Sequence, residues 1–232
     1  MTEPPSEPSG SGPRSLRGIV HALAWRATRP RWELADRGAV ALTFDDGPDP
    51  EFTPQVLDVL AAHGARATFF VVGRRARRHP ELVRRALAEG HAVGSHTYAH
   101  HDGWTIPWPK LARDLWHGRR AVEAATGGTV RAFRPPKGYF GDRAATAAAA
   151  CGLRPWLWTV NPRDWRPGVT APEILAGLGP LSGGDVVLLH DAIELPEGPE
   201  AADRSATVEA LPGIIAAARE RGLRLEPVEG PR

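Results

Sequence analysis

Residues 39–48 read A-V-A-L-T-F-D-D-G-P, an apolar run that ends in two adjacent carboxylates and a Gly-Pro turn signal. A short, continuously apolar run is typical of a buried strand in a parallel sheet covered on both faces. Asp45 and Asp46 then lie together at the carboxyl end of that strand. Two like charges in a partly buried place repel, and a bound cation removes the conflict. An ordinary Asp-Asp-Gly turn is the alternative interpretation of these letters.

The composition of the 232-residue chain is that of an ordinary globular protein, with 42% hydrophobic residues, 24% charged residues and a formal net charge of +2. This length predicts one domain with a core of its own. The densest basic cluster, six arginines between residues 74 and 85, flanks apolar positions at helical spacing. A solvated helix face is therefore favoured over a contact with an anionic polymer, and we expect no nucleic-acid partner.

Cys151 is the only cysteine, which excludes a disulfide or a thiolate metal site, and its Ala-rich surroundings predict a small core residue. No stretch is apolar over the roughly 18 residues of a transmembrane helix. We predict a disordered tail over 1–14, a helical or extended segment over 15–37, and one folded domain over 38–229. Without a secretory signal the sequence as written predicts a cytoplasmic monomer, or an extracytoplasmic one if the start site is misassigned or export is non-standard.

Strand-like apolar runs alternate with helical segments along the rest of the chain. We predict further strands at 67–72, 91–95, 130–134, 154–160, 185–190 and 223–228, and helices at 50–63, 74–89, 107–126, 142–151, 170–178 and 206–221. Asp142 and Thr170 are predicted N-caps. The alternation favours a parallel α/β sheet, either open and doubly wound or an incomplete barrel, with ligands at the carboxyl ends of the strands.

Candidate metal ligands follow the first and third predicted strands. His96 and His100 are four residues apart, so a helical turn would place both imidazoles on one side. With Asp46 they form a His₂-Asp set, which suits a borderline divalent ion such as zinc. Packing is the commoner explanation for an isolated His pair, and the nearby carboxylate is what favours ligation. His101 is expected to point elsewhere.

Acid-base candidates follow the remaining strands. Asp45, beside the proposed ligand, is the natural general base. Arg134 ends the fourth strand and could hold that carboxylate ionised through a bidentate ion pair. His190 ends a wholly apolar strand, where a catalytic role is favoured over a capped core histidine. Asp164 is the group expected to stabilise the imidazolium form of His190.

Five motifs in this chain resemble, in order, those of the polysaccharide deacetylase family (NodB homology, carbohydrate esterase family 4). They are T-F-D-D-G-P at 43–48, H-T-Y-A-H at 96–100, R-P-P at 134–136, D-W at 164–165 and L-L-H at 188–190. The resemblance covers most of residues 39–228. It implies a distorted (β/α) barrel of about seven parallel strands, with the active site at the carboxyl ends of the strands.

The resemblance also implies a role for each matching side chain. Asp45 would be the general base and His190 the general acid, with Arg134 orienting Asp45. One divalent ion, zinc or else cobalt or another metal, would be bound by Asp46, His96 and His100.

The same resemblance implies a substrate pocket in which Trp165 and Leu188 surround the acetyl methyl group. Pro136 belongs to the third motif, and the main-chain N–H of Lys137 would hold the developing oxyanion. The family usually has an aromatic residue where this chain has Lys137, which changes the groove from aromatic to cationic, and Tyr139 is a candidate replacement for sugar stacking.

A second departure from the family pattern is Asn161, where the fourth motif usually opens with Asp. The change removes a charge that could orient Arg134 or tune His190.

We therefore predict a metal-dependent hydrolase that removes N-acetyl groups, or O-acetyl groups, from amino-sugar glycans such as chitooligosaccharide or peptidoglycan. Two alternatives stay open at this point. One is a deacylase of a small N-acylated sugar or other amide metabolite. The other is a non-catalytic sugar-binding relative, against which the intact set of acid, base and ligand residues argues.

Overall fold

The computed structural model describes residues 19, 23–26, 28–103, 105–194 and 196–229. The predicted disordered tail over 1–14 lies outside these residues. Seven strands form one parallel sheet, in the order β5-β4-β3-β2-β1-β6, with β7 also paired to β1. The strands are β1 (Ala39–Asp45), β2 (Thr68–Val71), β3 (Ala92–Ser95), β4 (Ala132–Phe133), β5 (Arg154–Pro155), β6 (Val186–His190) and β7 (Arg224–Leu225).

Helices connect these strands and cover the sheet, as the alternating pattern predicts. They are α1 (Phe52–Ala62), α2 (Gly73–Arg78), α3 (Pro80–Ala88), α4 (Trp108–Thr126), α5 (Asp142–Ala150), α6 (Ala171–Leu178), α7 (Pro199–Ala202) and α8 (Ser205–Glu220). Among the described residues, no helix is both long and apolar enough to cross a membrane.

The central strand β1 is buried along its whole length, and its side chains alternate between two environments. Val40, Leu42 and Phe44 belong to the larger core cluster, which they share with the surrounding helices. Ala39 and Ala41 belong to a smaller cluster at the centre of the sheet. Because strand side chains alternate with a period of two, the inward series continues through Thr43 to Asp45. The side chain of Asp45, the candidate base, therefore lies on the same face of β1 as Ala39, Ala41 and Thr43.

The sheet is an incomplete barrel, because the chain after β5 returns to β6 but makes only an isolated bridge there. Val160 forms a parallel bridge with Val187, and the Leu188 N–H donates to the Val160 carbonyl at 2.9 Å. This agrees with the predicted barrel of about seven parallel strands.

Four predicted elements differ from those observed. The strands predicted over 130–134 and 223–228 are regular only at 132–133 and 224–225. The helix predicted over 74–89 is two helices, because Pro80 has no N–H and disfavours a helical conformation at the preceding His79, whose φ and ψ are −128° and 57°. The strand predicted over 154–160 is regular only at 154–155. The carbonyls of Trp156 and Leu157 instead accept hydrogen bonds from a buried guanidinium, that of Arg134.

Two predicted helix N-caps and the predicted burial of one cysteine can also be compared with the structure. Thr170 and Glu173 form the predicted capping box at the start of α6. Asp142 is the first residue of α5, and the N-cap position is held by Gly141. Cys151 is buried, in the core cluster that α5 forms with α4.

Candidate active site

Three candidate metal ligands converge at the carboxyl ends of β1 and β3. Asp46 Oδ1 lies 3.3 Å from His96 Nε2 and 3.2 Å from His100 Nε2. One ligand atom from each of the three residues lies within 4.8 Å of the others. Asp46 Oδ1 is buried, and among the described residues it has no hydrogen bond of regular geometry. An acceptor left in this state between two imidazole nitrogens fits a divalent cation.

The backbone at this cluster departs from the predicted helical turn. Residues 96–100 form an irregular loop, and Thr97 and His100 have φ angles of 62° and 55°. Asp46 has a φ of 73°, which ends the strand and separates its side chain from that of Asp45. Left-handed backbone at non-glycine residues is uncommon and concentrates at functional sites.

Further hydrogen bonds orient the three side chains. His96 Nδ1 lies 2.8 Å from the Arg134 carbonyl, so Nδ1 carries the proton and Nε2 is free to bind a metal. Asp46 Oδ2 accepts the Glu194 N–H at 2.9 Å. The neighbouring His101 points away, with Nδ1 3.3 Å from Asp114 Oδ1.

The electrostatics of the cluster favour a cation. Burial opposes ionisation of Asp46, but the close imidazoles of His100 and His96 outweigh it and hold the pKa of Asp46 well below its usual range. Burial likewise opposes protonation of His96, but the charges of Asp45 and Asp46 raise the pKa of His96. The two carboxylates that attract a proton to His96 would attract a metal ion in the same way.

Asp45 lies beside the metal-ligand cluster but has its own partner. Asp45 Oδ2 is 4.0 Å from His96 Nε2, and Asp45 Oδ1 accepts a hydrogen bond from Arg134 Nη1 at 2.9 Å. The second guanidinium nitrogen donates to the Leu157 carbonyl, so the predicted bidentate ion pair is a single-point one. Thr43 Oγ1 accepts the other Nη1 hydrogen bond, at 2.6 Å.

The fully buried Arg134 sits between the faces of Phe70 and Trp158, with its guanidinium carbon 4.3 Å and 5.6 Å from the two ring centroids. Burial lowers the pKa of Arg134, and the charge of Asp45 opposes that shift. A guanidinium held by aromatic rings and main-chain carbonyls keeps a fixed position, and so it fixes Asp45.

His190 and Asp164 form the second acid-base pair. His190 Nδ1 lies 2.8 Å from Asp164 Oδ1, and Asp164 Oδ2 accepts the His190 N–H at 2.7 Å. Burial opposes protonation of the imidazole, but the charge and hydrogen bond of Asp164, with the charges of Asp46 and Asp45, raise the pKa of His190 to about 9. Because Asp45 and His190 are register partners of β1 and β6, both pairs lie at one end of the sheet.

The predicted substrate-contacting residues lie in the loops after β4 and β5 and on β6, near Arg134, Asp164 and His190 in the sequence. Pro136 and Lys137 are part of a 3₁₀ turn after β4, in which Pro136 is buried and Lys137 has a φ of 58°. The Lys137 ammonium is exposed and lies 3.7 Å from Asp102 Oδ2. Tyr139 and Trp165 are exposed aromatic side chains, whereas Leu188 is buried on β6.

Asn161 has a local role in the structure. Its side-chain oxygen accepts the Arg163 N–H at 2.9 Å, within the loop between β5 and α6. The hydrogen-bond partners described above for Arg134 and His190 do not include Asn161, so the lost charge leaves those contacts in place.

Sequence reasoning missed four residues that support the site. Thr43 accepts a hydrogen bond from Arg134. Its position on the same face of β1 as Asp45 is the sequence feature that could have identified it. Thr207 donates to Asp164 Oδ2 at 3.0 Å, and the buried Arg204 donates to the Asp164 carbonyl at 2.7 Å. Thr207, Arg204 and Glu194 lie in the segment after β6, which contains none of the five motifs.

A parallel barrel that carries an Asp-His-His cluster beside a paired aspartate and a paired histidine has the arrangement of a metal-dependent hydrolase. The family model for polysaccharide deacetylases matches residues 34–156. The chain belongs to the polysaccharide deacetylase family, which is metal-dependent and removes acyl groups by hydrolysis.

Individual relatives agree with this assignment. The chain is 43% identical over 190 residues to a chitooligosaccharide deacetylase of Sinorhizobium fredii, covering 79% of this chain and 87% of the relative. It is 39% identical over 201 residues to a peptidoglycan-N-acetylglucosamine deacetylase of Bacillus cereus, covering 85% and 90%. A family 4 carbohydrate esterase from Streptomyces lividans, solved with acetate, superposes with a TM-score of 0.73 at 31% identity, covering 82% and 93%.

Proposed function

We propose that this protein hydrolyses N-acetyl groups on amino-sugar glycans of the chitooligosaccharide or peptidoglycan type. The observation that carries the proposal is the difference in surroundings between two adjacent carboxylates. Asp46 faces two imidazole nitrogens, whereas Asp45 is held by a guanidinium. A sugar-binding protein without catalysis needs neither a base nor a paired acid. The names of the relatives support an amino-sugar substrate.

Asp46, His96 and His100 would hold one divalent ion, and their oxygen and nitrogen donors suit zinc. When bound, such an ion polarises the acetyl carbonyl and lowers the pKa of a coordinated water molecule. Three protein ligands leave coordination positions open for substrate and water.

Asp45 accepts the proton of the attacking water, and Arg134 holds that carboxylate in position. His190 donates a proton to the departing amine nitrogen, and Asp164 stabilises its protonated form. The water oxygen adds to the carbonyl carbon, the carbon–nitrogen bond then breaks, and acetate and a free amino sugar are released. Attack on an O-acetyl ester would use the same groups.

The loops around the site would bind the sugar. The main-chain N–H of Lys137 is the proposed oxyanion donor, in the 3₁₀ turn that follows the buried Arg134. Exposed Tyr139 and Trp165 offer rings for stacking on sugar faces, and Leu188 would contact the acetyl methyl. Pro136 holds the start of the turn.

The test is acetate release by metal-stripped protein from chitooligosaccharides and from N-acetylated peptidoglycan fragments, with zinc, cobalt or no metal added back. We expect release that depends on added metal and is lost in His96→Ala. Metal binding that depends on Asp46 and His96, without release from either glycan, would leave the metal site in place but would reject the polymer substrate in favour of a small acylated metabolite.

A further inference from the structure

The chain that enters α2 contacts both of the segments that carry the candidate metal ligands. The Val72 N–H donates to the Gly47 carbonyl at 2.8 Å, directly after Asp46. The N–H groups of Gly73 and Arg74 donate to the carbonyls of Thr97 and Tyr98 at 2.9 and 3.0 Å. These two carbonyls lie between His96 and His100. Three consecutive residues therefore hold the backbone on either side of the cluster.

The side chains at the start of α2 reach a third segment. The Glu194 carboxylate is almost fully buried, with a side-chain exposure of 2%, and it contacts both Arg74 and Arg75. Arg75 Nε lies 2.8 Å from Glu194 Oε2, and Arg75 Nη2 donates to the Ile193 carbonyl at 3.0 Å. Arg75 Nη1 also lies 3.3 Å from Asp49 Oδ2. The arginines predicted to face solvent thus include two that fix the loop after β6.

This loop touches the metal-ligand cluster through its main chain. The Glu194 N–H donates to Asp46 Oδ2 at 2.9 Å, and the other oxygen of that carboxylate faces the two imidazoles. Since Asp46 has a left-handed backbone, its orientation depends on the contacts around it. The hydrogen bond from Glu194 both fixes the rotation of the carboxylate and occupies the oxygen that faces away from the histidines.

We propose that Arg75 and Glu194 are positioning residues for the metal site, through an ion pair that holds the Glu194 N–H against Asp46. The proposal rests on the proposed metal site. Neither side chain belongs to the candidate ligand set, and the Glu194 charge is compensated by two guanidinium groups. The ion pair fixes the geometry of one candidate ligand, Asp46. Removal of a group that orients a metal ligand typically weakens metal binding by about ten- to hundredfold.

The test is a titration of the metal-stripped full chain with Co²⁺, followed by visible absorption. The variants are Arg75→Gln, Glu194→Gln and the double variant, with Arg78→Gln, an exposed arginine of the same helix, as the matched control. We expect each single variant to bind Co²⁺ about ten- to hundredfold more weakly, with an altered spectrum. The double variant should lose less than the sum of the two single losses, because both changes break the same Arg75–Glu194 ion pair.

Wild-type Co²⁺ affinity and spectrum in both single variants, or losses that add in the double variant, would overturn the proposal. If Glu194→Gln does not fold, because two arginines lose their partner, Co²⁺ binding is measured on the double variant instead. That variant keeps only Arg74, which is one-third exposed and can be hydrated. Weakened binding then supports the proposal and wild-type binding rejects it. Absence of Co²⁺ binding in the wild-type chain is a different result, since it would remove the metal site itself.

Discussion

Asp164 holds His190 at two points, with one carboxylate oxygen 2.8 Å from the ring Nδ1 and the other accepting the His190 N–H at 2.7 Å. The imidazole is therefore fixed in orientation and has a counter-charge. This arrangement keeps His190 protonated at neutral pH, with a pKa of about 9. A general acid must carry its proton when the leaving group departs, so the pair fits that role.

The first prediction concerns the pH dependence of kcat. Activity should fall as the pH rises through the pKa of His190, at or somewhat below pH 9, because a bound cation opposes protonation. Asp164→Asn removes the counter-charge, and the alkaline limb should move down by about 1–3 pH units. The measurement is kcat for acetate release against pH in both proteins. Superimposable alkaline limbs would contradict the role of Asp164.

The same raised pKa predicts how folding stability depends on pH. A folded-state pKa above the usual value means that the folded protein binds the proton more tightly than the unfolded chain. The stabilisation is fully present below about pH 6.5 and is lost as the pH rises to about 9. Urea denaturation of the metal-free protein across this range should show the loss in wild type and a smaller loss in Asp164→Asn.

Replacement of Arg134 should destabilise the fold as well as the site. Arg134→Met leaves the buried Asp45 without its partner and should lower the free energy of unfolding by about 3–5 kcal/mol. The control is Arg131→Met, since Arg131 is exposed and three residues earlier, and it should change stability by less than about 0.5 kcal/mol. Equal urea midpoints for the two variants would show that the ion pair does not stabilise the fold.

Close packing of α4 against the metal-ligand loop gives another prediction. A Cβ added to Gly118 would lie 2.4 Å from the carbonyl carbon of Thr97, so Gly118→Ala must displace that loop. We expect a loss of about 1–3 kcal/mol in stability and weaker Co²⁺ binding. Gly128→Ala is the matched control, because a Cβ there meets nothing within 4 Å. Unchanged Co²⁺ affinity in Gly118→Ala would mean that the loop position is not critical.

The sequence predicted the seven parallel strands and the residues at their carboxyl ends because both depend on short-range patterns. Apolar runs define β1 and β6, and the motifs place Asp45 and His190 at their ends. The break between α2 and α3 could also be predicted, because Pro80 is the first residue of α3. A more careful interpretation of that proline would have divided the predicted helix.

The supporting contacts could not be predicted because they join residues far apart in the chain. Glu194 reaches Arg75 across 119 residues, and Thr207 reaches Asp164 across 43. A run of arginines at helical spacing looks the same whether it faces water or a buried carboxylate. The shortness of β5 likewise depends on Arg134, which binds two carbonyls that the strand pattern assigned to the sheet.

Lys137 provides a prediction about specificity. Its ammonium is exposed beside Asp102, so under the proposed function it would present positive charge to the bound glycan. Lys137→Tyr keeps the main-chain N–H and adds a ring, and it should lower KM for neutral chitooligosaccharides while raising KM for peptidoglycan fragments that carry carboxylates. The measurement is KM and kcat for both substrates, and kcat should change little. An equal change in KM for both substrates would argue against a role for the charge.

The most direct test of the central claim separates metal binding from base catalysis in Asp45→Asn. Asparagine can still accept the Arg134 hydrogen bond, and the ligands Asp46, His96 and His100 are untouched. The measurement is Co²⁺ affinity together with acetate release from chitooligosaccharide. We predict that Co²⁺ still binds, more weakly because one nearby negative charge is lost, and that kcat falls by about 10²–10⁴-fold. Release at the wild-type rate from a Co²⁺-loaded Asp45→Asn protein would contradict the assignment of Asp45 as the base.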